Sequence, residues 1–561
     1  MAYDLLIKNG RVVDGTGKPG FQADVGIADG KIIKIGKLDG DAKRTIDATG
    51  HVVAPGFIDN HCHFDGQVTF DALCTFSCYN GVTTVINGNC SLTLAPLRPG
   101  DEHHISQMLA KVEAIPLDVL ENGVKWGWET FGEYLDVVDK QLGINVGALV
   151  GHSAIRRYVM GDASQERQAT GEELESMQTV LRESMESGAL GVSFDRNPRH
   201  VDIYGKLLPA NVSSDEEILS LASELKRMGR GTIELGDPTH LELKTGFVGD
   251  VADASGGNVL YTSITQSTLE PELWKQHLEH AADNHRRGRA AFPLINPRPG
   301  LRFFQMDSAE FFNFMPTWKS IMNASPEERI ERFSDVETRK ALVQEIGEST
   351  MTTALGFSGR WDQVIVIKPV LEQNVELTGM SITEIAEEDG KEPIDTFLDL
   401  AVEEKMKTWF ARNQQNNDDE AMAEILNSPD TVIGLSDAGA HVVREGGYGL
   451  NVHFLSHWVR DKQIMSLEEG IRQVTSAQAD MFGLAERGRL EPGLAADVVV
   501  FDLGELGLDE AEEAYDLPGD SMRLKQVAHG IPYTIVNGEV LIENGEHTGA
   551  FPGRVLRGDN A

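Results

Sequence analysis

The middle of the chain alternates between short apolar runs and longer stretches in which apolar residues recur with a helical period. Strands that are buried on both faces of a parallel sheet are typically such near-continuous apolar runs. Eight runs fit this description: HVVAPGFID, GVTTVINGN, INVGALVGH, GALGVSFD, GTIELGD, NVLYTSIT, AAFPLIN and TVIGLSDAG. Eight strands that alternate with helices predict an α/β fold built as a (β/α)8 TIM barrel.

The two ends of the chain carry a different pattern. Residues 2–50 read as short alternating strands separated by Gly and Asp turns, and GRLEPGLAADVVVFDL and YTIVNGEVLIENGEHTG near the other end have the same character. Because chain termini that lie close together make domain insertions easy, we expect one small β-sandwich domain from residues 1–53 and 485–561. The barrel then occupies residues 54–484.

The connection between the seventh and eighth predicted strands is unusually long. It runs from about residue 295 to about residue 430 and carries the helical patterns MPTWKSIMNASPEERIERFSD and PIDTFLDLAVEEKMKTWFA. Connections that leave the carboxyl ends of barrel strands build the face that holds active sites. We therefore predict a mostly helical insertion near that face.

Composition narrows the class of protein. The hydrophobic content of 41 % and charged content of 25 % are those of a globular chain. No apolar run approaches the ~20 residues needed to cross a bilayer, and the amino terminus enters a strand pattern without a secretory signal. The formal net charge of −38 argues against binding to phosphate backbones. We expect a cytoplasmic protein that binds neither nucleic acid nor membranes, and we leave a homo-oligomer open.

Two histidines, one residue apart, follow the first predicted strand. Side chains alternate between faces along a strand, so His61 and His63 point the same way and can share a metal ion. For an isolated pair of this kind the simpler interpretation is favoured, in which one histidine packs and the other is solvated. Other parts of the sequence must decide between the two.

Further polar side chains follow other predicted strands. Cys90 follows the second strand, His152 the third and Asp437 the eighth. In a barrel these positions converge with His61 and His63 on one rim. Zinc binds imidazole, thiolate and carboxylate groups, and a thiolate favours zinc over magnesium or calcium.

All four cysteines lie in one short segment, which is a poor distribution for stapling a large protein by disulfides. We interpret Cys62, Cys74 and Cys78 as small buried apolar residues. Cys62 lies between the two histidines and is expected to face away from them.

Seven segments together resemble a known enzyme family. They are DLLIKNGRVVDGTG, ADVGIADGKIIKIG, APGFIDNHCHFDGQ, GVTTVINGNCSLTLAP, GHSAIRRYVMG, IGLSDAGAHV and VTSAQADMFGLAERGRLEPGLAADVVVFD. The chain resembles the amidohydrolase superfamily, specifically the N-acyl-D-amino-acid deacylase (D-aminoacylase) branch and its longer relatives. In that branch a paired His, a bridging Cys in a Gly-Asn-Cys turn and an Asp after the last strand bind catalytic zinc. The resemblance places these ligands at His61, His63, Cys90 and Asp437.

The sequence departs from the family pattern at two places. Family members with a binuclear site carry further histidines after strands five and six. The matching segments here are TIELGD, which contains Glu234, and YTSITQS, which contains no histidine. We therefore expect one tightly bound zinc ion per chain, with Glu234 as a supporting ligand or as a polar contact in the substrate site.

Three more residues are candidates for substrate contacts. His152 either orients a substrate carbonyl or caps a loop. Arg444 lies shortly after Asp437 and suits a substrate carboxylate, with a surface arginine as the alternative. His441 is a substrate contact, a core residue or an outer support of the site.

The predicted reaction is hydrolysis of a linear amide in a small-molecule substrate of the N-acyl-D-amino-acid type. Zinc lowers the pKa of bound water from about 15.7 toward 7, and Asp437 carries the water proton to the leaving nitrogen. One alternative is a cyclic amide or imide hydrolase, although such relatives usually have a carboxylated lysine after strand four and GALGVSFDRNPRH has none. The other alternative is a non-catalytic scaffold protein with this fold. The retained set of metal ligands argues against it.

Overall fold

The computed structural model describes residues 3–236, 243–268, 270–306, 309, 312, 315–348, 357, 359–443 and 446–558 of the 561-residue chain. The chain forms two compact units. Unit 1 comprises Met1–Ile264, Gln276–Pro297 and Ala423–Ala561, and unit 2 comprises Thr265–Lys275 and Arg298–Met422.

Unit 1 contains an eight-stranded parallel sheet in which each strand pairs with the next one along the chain. The strands are β1 Phe57–Asp59, β2 Val82–Asn87, β3 Asn145–Gly151, β4 Gly191–Asp195, β5 Thr232–Gly236, β6 Val259–Tyr261, β7 Ala291–Ile295 and β8 Val432–Ile433. Every residue of β1 to β6 is buried, as expected for strands covered on both faces. Each strand lies inside one of the eight predicted runs, which confirms the α/β class.

The segments after the first and last strands of this sheet lie side by side. Cys62 and Ala438 form a parallel bridge. The backbone N–H of His63 donates to the carbonyl of Ala438 over 2.7 Å, and that of Asp437 donates to the carbonyl of His61 over 3.2 Å. Eight parallel strands whose two ends approach each other in this way fit the predicted TIM barrel.

Strands from both termini form one nine-stranded sheet. Its strands are Tyr3–Val12, Phe21–Ala28, Lys31–Gly36, Ala42–Asp47, Val52–Pro55, Val498–Phe501, Tyr533–Val536, Glu539–Glu543 and Glu546–His547. Val53 pairs with Val500 in the antiparallel ladder that joins the two ends of the chain. This sheet lies in the same compact unit as the parallel sheet, so a separate small β-sandwich domain stays a prediction. Two short antiparallel pairs accompany it: Gly507–Leu508 with Ala528–His529, and Glu512–Leu517 with Ser521–Lys525.

The first predicted apolar run is divided between the two sheets at Gly56. Val52–Pro55 belongs to the terminal sheet, and Phe57–Asp59 is β1. A Cβ atom at Gly56 would lie 2.2 Å from the Cγ2 atom of Thr83. Only glycine therefore allows the chain to pass from one sheet to the other at this point.

Helices follow the strands, as the alternating pattern predicts. Outside the long insertion the α-helices are Glu102–Val112, Leu117–Gly123, Phe131–Val138, His152–Met160, Gly171–Glu186, Asp215–Met228, Phe247–Ser255, Leu273–Arg286, Leu450–His453, Leu467–Val474 and Ser476–Met481, with a π-helix at Phe454–Asp461. The helix Asp419–Leu426 lies near the end of the insertion. The 3-10 helices are Gln67–Thr69, Ser77–Asn80, Gly161–Gln165, Pro209–Val212, Trp361–Gln363, Glu372–Leu377, Gly447–Gly449 and Pro518–Asp520. Among the described residues, none of the helices has the length and apolar character that a bilayer span requires.

Unit 2 contains most of the long insertion. Its helices are Pro316–Met322, Pro326–Ser334, Val336–Glu348, Ile382–Asp389 and Pro393–Glu403. It also holds a three-stranded antiparallel sheet, which sequence reasoning missed: Leu301–Phe304, Trp409–Asn413 and Val364–Lys368, in that spatial order. Aromatic side chains such as Trp318, Phe397 and Phe410 fill a core between these elements.

Candidate metal centre

The His61 and His63 side chains lie together at the carboxyl end of β1. Their ring centroids are 5.3 Å apart, and both residues are buried. The Cys62 thiol turns the other way and donates to the carbonyl oxygen of Ile86 over 3.2 Å. The predicted alternation of side chains is confirmed here, because both imidazoles lie on one side of the chain and the Cys62 side chain lies on the other.

Cys90 reaches the histidines from a tight turn after β2. The turn requires Gly88, whose φ is +84° and where a Cβ atom would lie 2.1 Å from the carbonyl oxygen of Leu149. Cys90 itself has a left-handed backbone, with φ +53°, which is uncommon for a residue with a side chain. Its Sγ atom lies 3.6 Å from His61 Nε2. Ligand atoms of His61, His63 and Cys90 all lie within 4.8 Å of one another.

Asp437 approaches the same histidines from the segment after β8. Its backbone is also left-handed, with φ +53°. Its Oδ1 atom lies 3.4 Å from His61 Nε2 and 3.6 Å from His63 Nε2. The Asp437 side chain is 33 % exposed, so the carboxylate faces both the histidines and the open side of the site.

These separations fit atoms that bind one zinc ion. Two ligands that each lie ~2.0–2.1 Å from a tetrahedral zinc are about 3.4 Å from each other. Direct hydrogen bonds would be shorter, at roughly 2.7–3.2 Å. Two imidazole nitrogens, a sulfur and a carboxylate oxygen are also a donor set that zinc accepts. The side chains present therefore fit a bound zinc ion.

Two buried glutamates flank the four donors. In β5, Glu234 accepts a hydrogen bond from the Cys90 backbone N–H over 2.8 Å, and its Oε1 atom lies 3.8 Å from His61 Nδ1. Glu113 follows the helix Glu102–Val112, and its Oε2 atom lies 3.6 Å from His63 Nε2. Sequence reasoning proposed Glu234 and missed Glu113, which has no motif around it and lies in an irregular connection.

Burial and neighbouring charges set the protonation states of the site. Burial lowers the pKa of His61 to about 3. Burial also acts to lower the pKa of His63, but Glu113 and Asp437 raise it to about 9. For Asp437, the two histidines outweigh the effect of burial and lower the pKa to about 2. At neutral pH His61 is thus a neutral imidazole, Asp437 an anion and His63 an imidazolium, so a metal ion that binds His63 releases its proton.

The remaining predicted site residues have different surroundings. His152 is buried, and its Nε2 atom lies 2.7 Å from Glu217 Oε1. The guanidinium of Arg156 donates to the same carboxylate. His441 donates its backbone N–H to the carbonyl oxygen of Glu113 over 2.6 Å. Arg444 lies outside the described residues.

The fold and the site together define a class of protein, a metal-dependent hydrolase built on a parallel α/β sheet. The chain belongs to the amidohydrolase family, which matches residues 44–292 and 329–542. It is an enzyme of the amidohydrolase type that acts on carbon–nitrogen bonds other than peptide bonds. The scaffold alternative is therefore wrong.

Three of the similar proteins belong to one branch of this family. The D-aminoacylase of Alcaligenes xylosoxydans xylosoxydans is 28 % identical over 558 residues, which cover 99 % of this chain and 97 % of that protein. The N-acyl-D-aspartate deacylase of the same organism is 28 % identical over 561 residues, 99 % of this chain and 95 % of that protein. A solved structure of D-aminoacylase is also similar, with 26 % identity and a TM-score of 0.67 over 99 % of this chain and 100 % of that chain. That structure was studied for one-metal activation and second-metal attenuation of its binuclear metal centre. These matches confirm the resemblance to the D-aminoacylase branch.

Proposed function

We propose that the chain is a zinc-dependent hydrolase that cleaves the linear amide bond of an N-acyl-D-amino acid and holds one zinc ion. The observation that carries the proposal is the convergence of His61, His63 and Cys90, whose ligand atoms lie within 4.8 Å of one another, with Asp437 Oδ1 at 3.4 Å from His61 Nε2 and 3.6 Å from His63 Nε2. The D-aminoacylase and N-acyl-D-aspartate deacylase relatives support the choice of substrate class.

The surroundings of the four donors favour one ion. The position in β5 at which binuclear relatives are expected to carry a histidine is occupied by Glu234, and one oxygen of this carboxylate is already bonded to the Cys90 backbone. The short segment YTSITQS at the end of β6 contains no histidine. The one-metal activation described for D-aminoacylase is consistent with a single catalytic ion.

Asp437 is the residue in this site that can move a proton. When bound, zinc supplies a water of lowered pKa and polarises the scissile carbonyl. The Asp437 carboxylate is ionised and a third exposed, so it can accept the water proton and deliver it to the amide nitrogen as the carbon–nitrogen bond breaks. Delivery of the proton matters because an unprotonated amine is a poor leaving group.

Recognition of the substrate carboxylate requires a cation or hydrogen-bond donors near the open side of the site. We assign this role to Arg444 and His441, which follow Asp437 in the chain, because a guanidinium binds a carboxylate through two parallel hydrogen bonds. His152 contributes differently, since Glu217 and Arg156 hold it within a buried network.

The test is a hydrolysis panel with the zinc-loaded protein. Matched N-acetyl-D- and N-acetyl-L-amino acids, hydantoin and dihydrouracil are assayed by product release, with the chelator-treated, zinc-free protein as the inactive control. We expect hydrolysis of N-acetyl-D-amino acids, little hydrolysis of the L-enantiomers and none of the cyclic amides. Turnover of the cyclic amides alone would establish the cyclic amide hydrolase instead, and no turnover of any substrate would overturn the proposal.

A further inference from the structure

Cys90 lies at the centre of a tight turn whose central residue types disfavour its backbone conformation. The backbone N–H of Leu92 donates to the carbonyl oxygen of Asn89 over 3.0 Å, so Cys90 and Ser91 are the two central residues of a β-turn. Both have left-handed backbones, with φ +53° and φ +63°. Turns with positive φ at both central positions are dominated by glycine, asparagine and aspartate. A turn built on cysteine and serine therefore needs support from other parts of the chain.

The hydroxyl group of Ser193 binds the backbone on both sides of Cys90. Ser193 Oγ donates to the carbonyl oxygen of Gly88 over 2.5 Å and accepts the backbone N–H of Ser91 over 3.0 Å. Ser193 is fully buried. Loss of this hydroxyl would therefore leave two buried backbone groups without the partner that now holds them.

The support for the turn comes from one row of residues across three neighbouring strands. Ser193 in β4 pairs with Glu234 in β5 and with Gly151 in β3. Glu234 accepts the backbone N–H of Cys90. A Cβ atom at Gly151 would lie 2.3 Å from the carbonyl oxygen of Ser91, so glycine leaves the space that the turn occupies. Strands that are distant from Cys90 in the chain thus fix the position of its backbone.

We propose that Ser193 is a positioning residue for the metal ligand Cys90. The proposal rests on the proposed function in taking zinc as the resident ion and the Cys90 thiolate as one of its ligands. Ser193 holds the backbone on both sides of the cysteine and thereby keeps Cys90 Sγ at 3.6 Å from His61 Nε2. Loss of a residue that orients a metal ligand typically weakens metal binding by roughly 10–100-fold.

The experiment uses three substitutions that separate the shape of residue 193 from its hydrogen bonds. Ser193→Ala removes the hydroxyl group. Ser193→Thr and Ser193→Val give side chains of the same shape, of which only threonine has a hydroxyl. Ser184→Ala is the matched control, because Ser184 is also buried and its hydroxyl donates to the carbonyl oxygen of Val180 in its own helix. Circular dichroism and the melting temperature of each protein are recorded first.

Two measurements then report on the metal site. Zinc affinity is measured by chelator competition. The Co²⁺-loaded proteins are examined for the near-ultraviolet charge-transfer band of a thiolate bound to cobalt, and Cys90→Ala gives the spectrum without that bond. We expect Ser193→Ala and Ser193→Val to bind zinc at least about 10-fold more weakly than wild type and to show a weaker or shifted band. Ser193→Thr should lie closer to wild type than Ser193→Val, and Ser184→Ala should match wild type.

The possible results separate this proposal from the proposed function. Wild-type zinc affinity and a wild-type band in Ser193→Ala would overturn the positioning role and leave the proposed function intact. A lower melting temperature with an unchanged band would show that Ser193 only stabilises the fold. If Ser193→Ala does not fold, the threonine and valine variants decide, and equal bands in these two would overturn the proposal. A wild-type protein without the band would instead refute Cys90 as a ligand, and with it the ligand set of the proposed function.

Discussion

The Asp437 Oδ1 atom lies 3.4 Å from the Nε2 atom of His61, and this pair connects the two ends of the parallel sheet. His61 follows the first strand and Asp437 follows the last. A backbone hydrogen bond joins the same two residues, since the N–H of Asp437 donates to the carbonyl oxygen of His61. The ligand set is complete only when these two ends are in contact, so metal binding and closure of the sheet must be coupled.

Zinc removal is therefore expected to destabilise the protein. An ion that binds only the folded state adds a free energy of RT ln(1 + [L]/Kd), or about 2.7 kcal/mol when zinc is present at 100 times its Kd. We expect the melting temperature to fall after treatment with a chelator and to recover when zinc is added back. Differential scanning calorimetry of the two forms checks this, and identical melting temperatures would contradict the coupling.

The number of bound ions tests the interpretation of Glu234. We expect roughly one tightly bound zinc per chain, because the residues in β5 and after β6 do not supply the histidines of a second site. Elemental analysis of extensively dialysed protein gives the ratio. Two firmly held ions would contradict the one-ion proposal and would make Glu234 a ligand in its own right.

The four cysteines allow a matched comparison within one segment. Cys90→Ala removes a donor that lies 3.6 Å from His61 Nε2 and is expected to weaken zinc retention. Cys74→Ala and Cys78→Ala remove buried thiols that lie outside the group of possible metal donors formed by His61, His63 and Cys90, so we expect them to change packing and leave the metal bound. Equal loss of zinc in all three variants would show that Cys90 is structural.

Much of this architecture could be predicted from the sequence. The eight strands of the parallel sheet are recognisable because burial on both faces demands continuous apolar runs, as in Val82–Asn87, where every residue is buried. The His61 and His63 pair follows from the period of two along β1. The left-handed backbones of Cys90 and Asp437 could not be predicted, because cysteine disfavours this conformation and aspartate adopts it only occasionally.

The carboxylates around the site show where sequence reasoning fails. Glu113 lies in an irregular connection, and nothing in its neighbourhood indicates that it faces His63. The pairing of His152 with Glu217 joins the start of one helix to the first turn of another, which only the folded chain brings together. Short polar contacts of this kind depend on side-chain positions that no periodicity encodes.

The His152 network predicts how stability depends on pH. Burial lowers the pKa of His152, against the opposing effect of Glu217, so the folded protein keeps this imidazole neutral while the unfolded chain protonates it below about pH 6.5. The unfolded state then binds more protons, and stability must fall as the pH decreases from about 6.5. The largest slope from one group is about 1.36 kcal/mol per pH unit.

The control for this prediction is His152→Gln, which removes the titrating group and keeps a side chain that can donate to Glu217. Melting temperatures of both proteins are measured between pH 5 and pH 8 at the same zinc concentration, so that titration of the metal ligands affects both curves alike. We expect the variant to lose less stability than wild type between pH 7 and pH 5. Parallel curves would show that His152 does not contribute.

The last prediction separates the two roles of Asp437. If the residue only held the ion, Asp437→Asn would lower metal occupancy and rate in proportion, and excess zinc would restore both. If it also moves a proton, the fully metallated variant stays slower by roughly 10²–10⁴-fold, the range typical of a lost general acid–base. Asparagine still offers an oxygen to the ion but cannot accept and return a proton at neutral pH. The test compares hydrolysis rates per bound ion on an N-acyl-D-amino acid. A metallated variant whose rate lies within a few-fold of the wild-type rate would assign proton transfer to another residue near the ion. Glu113 is the next candidate.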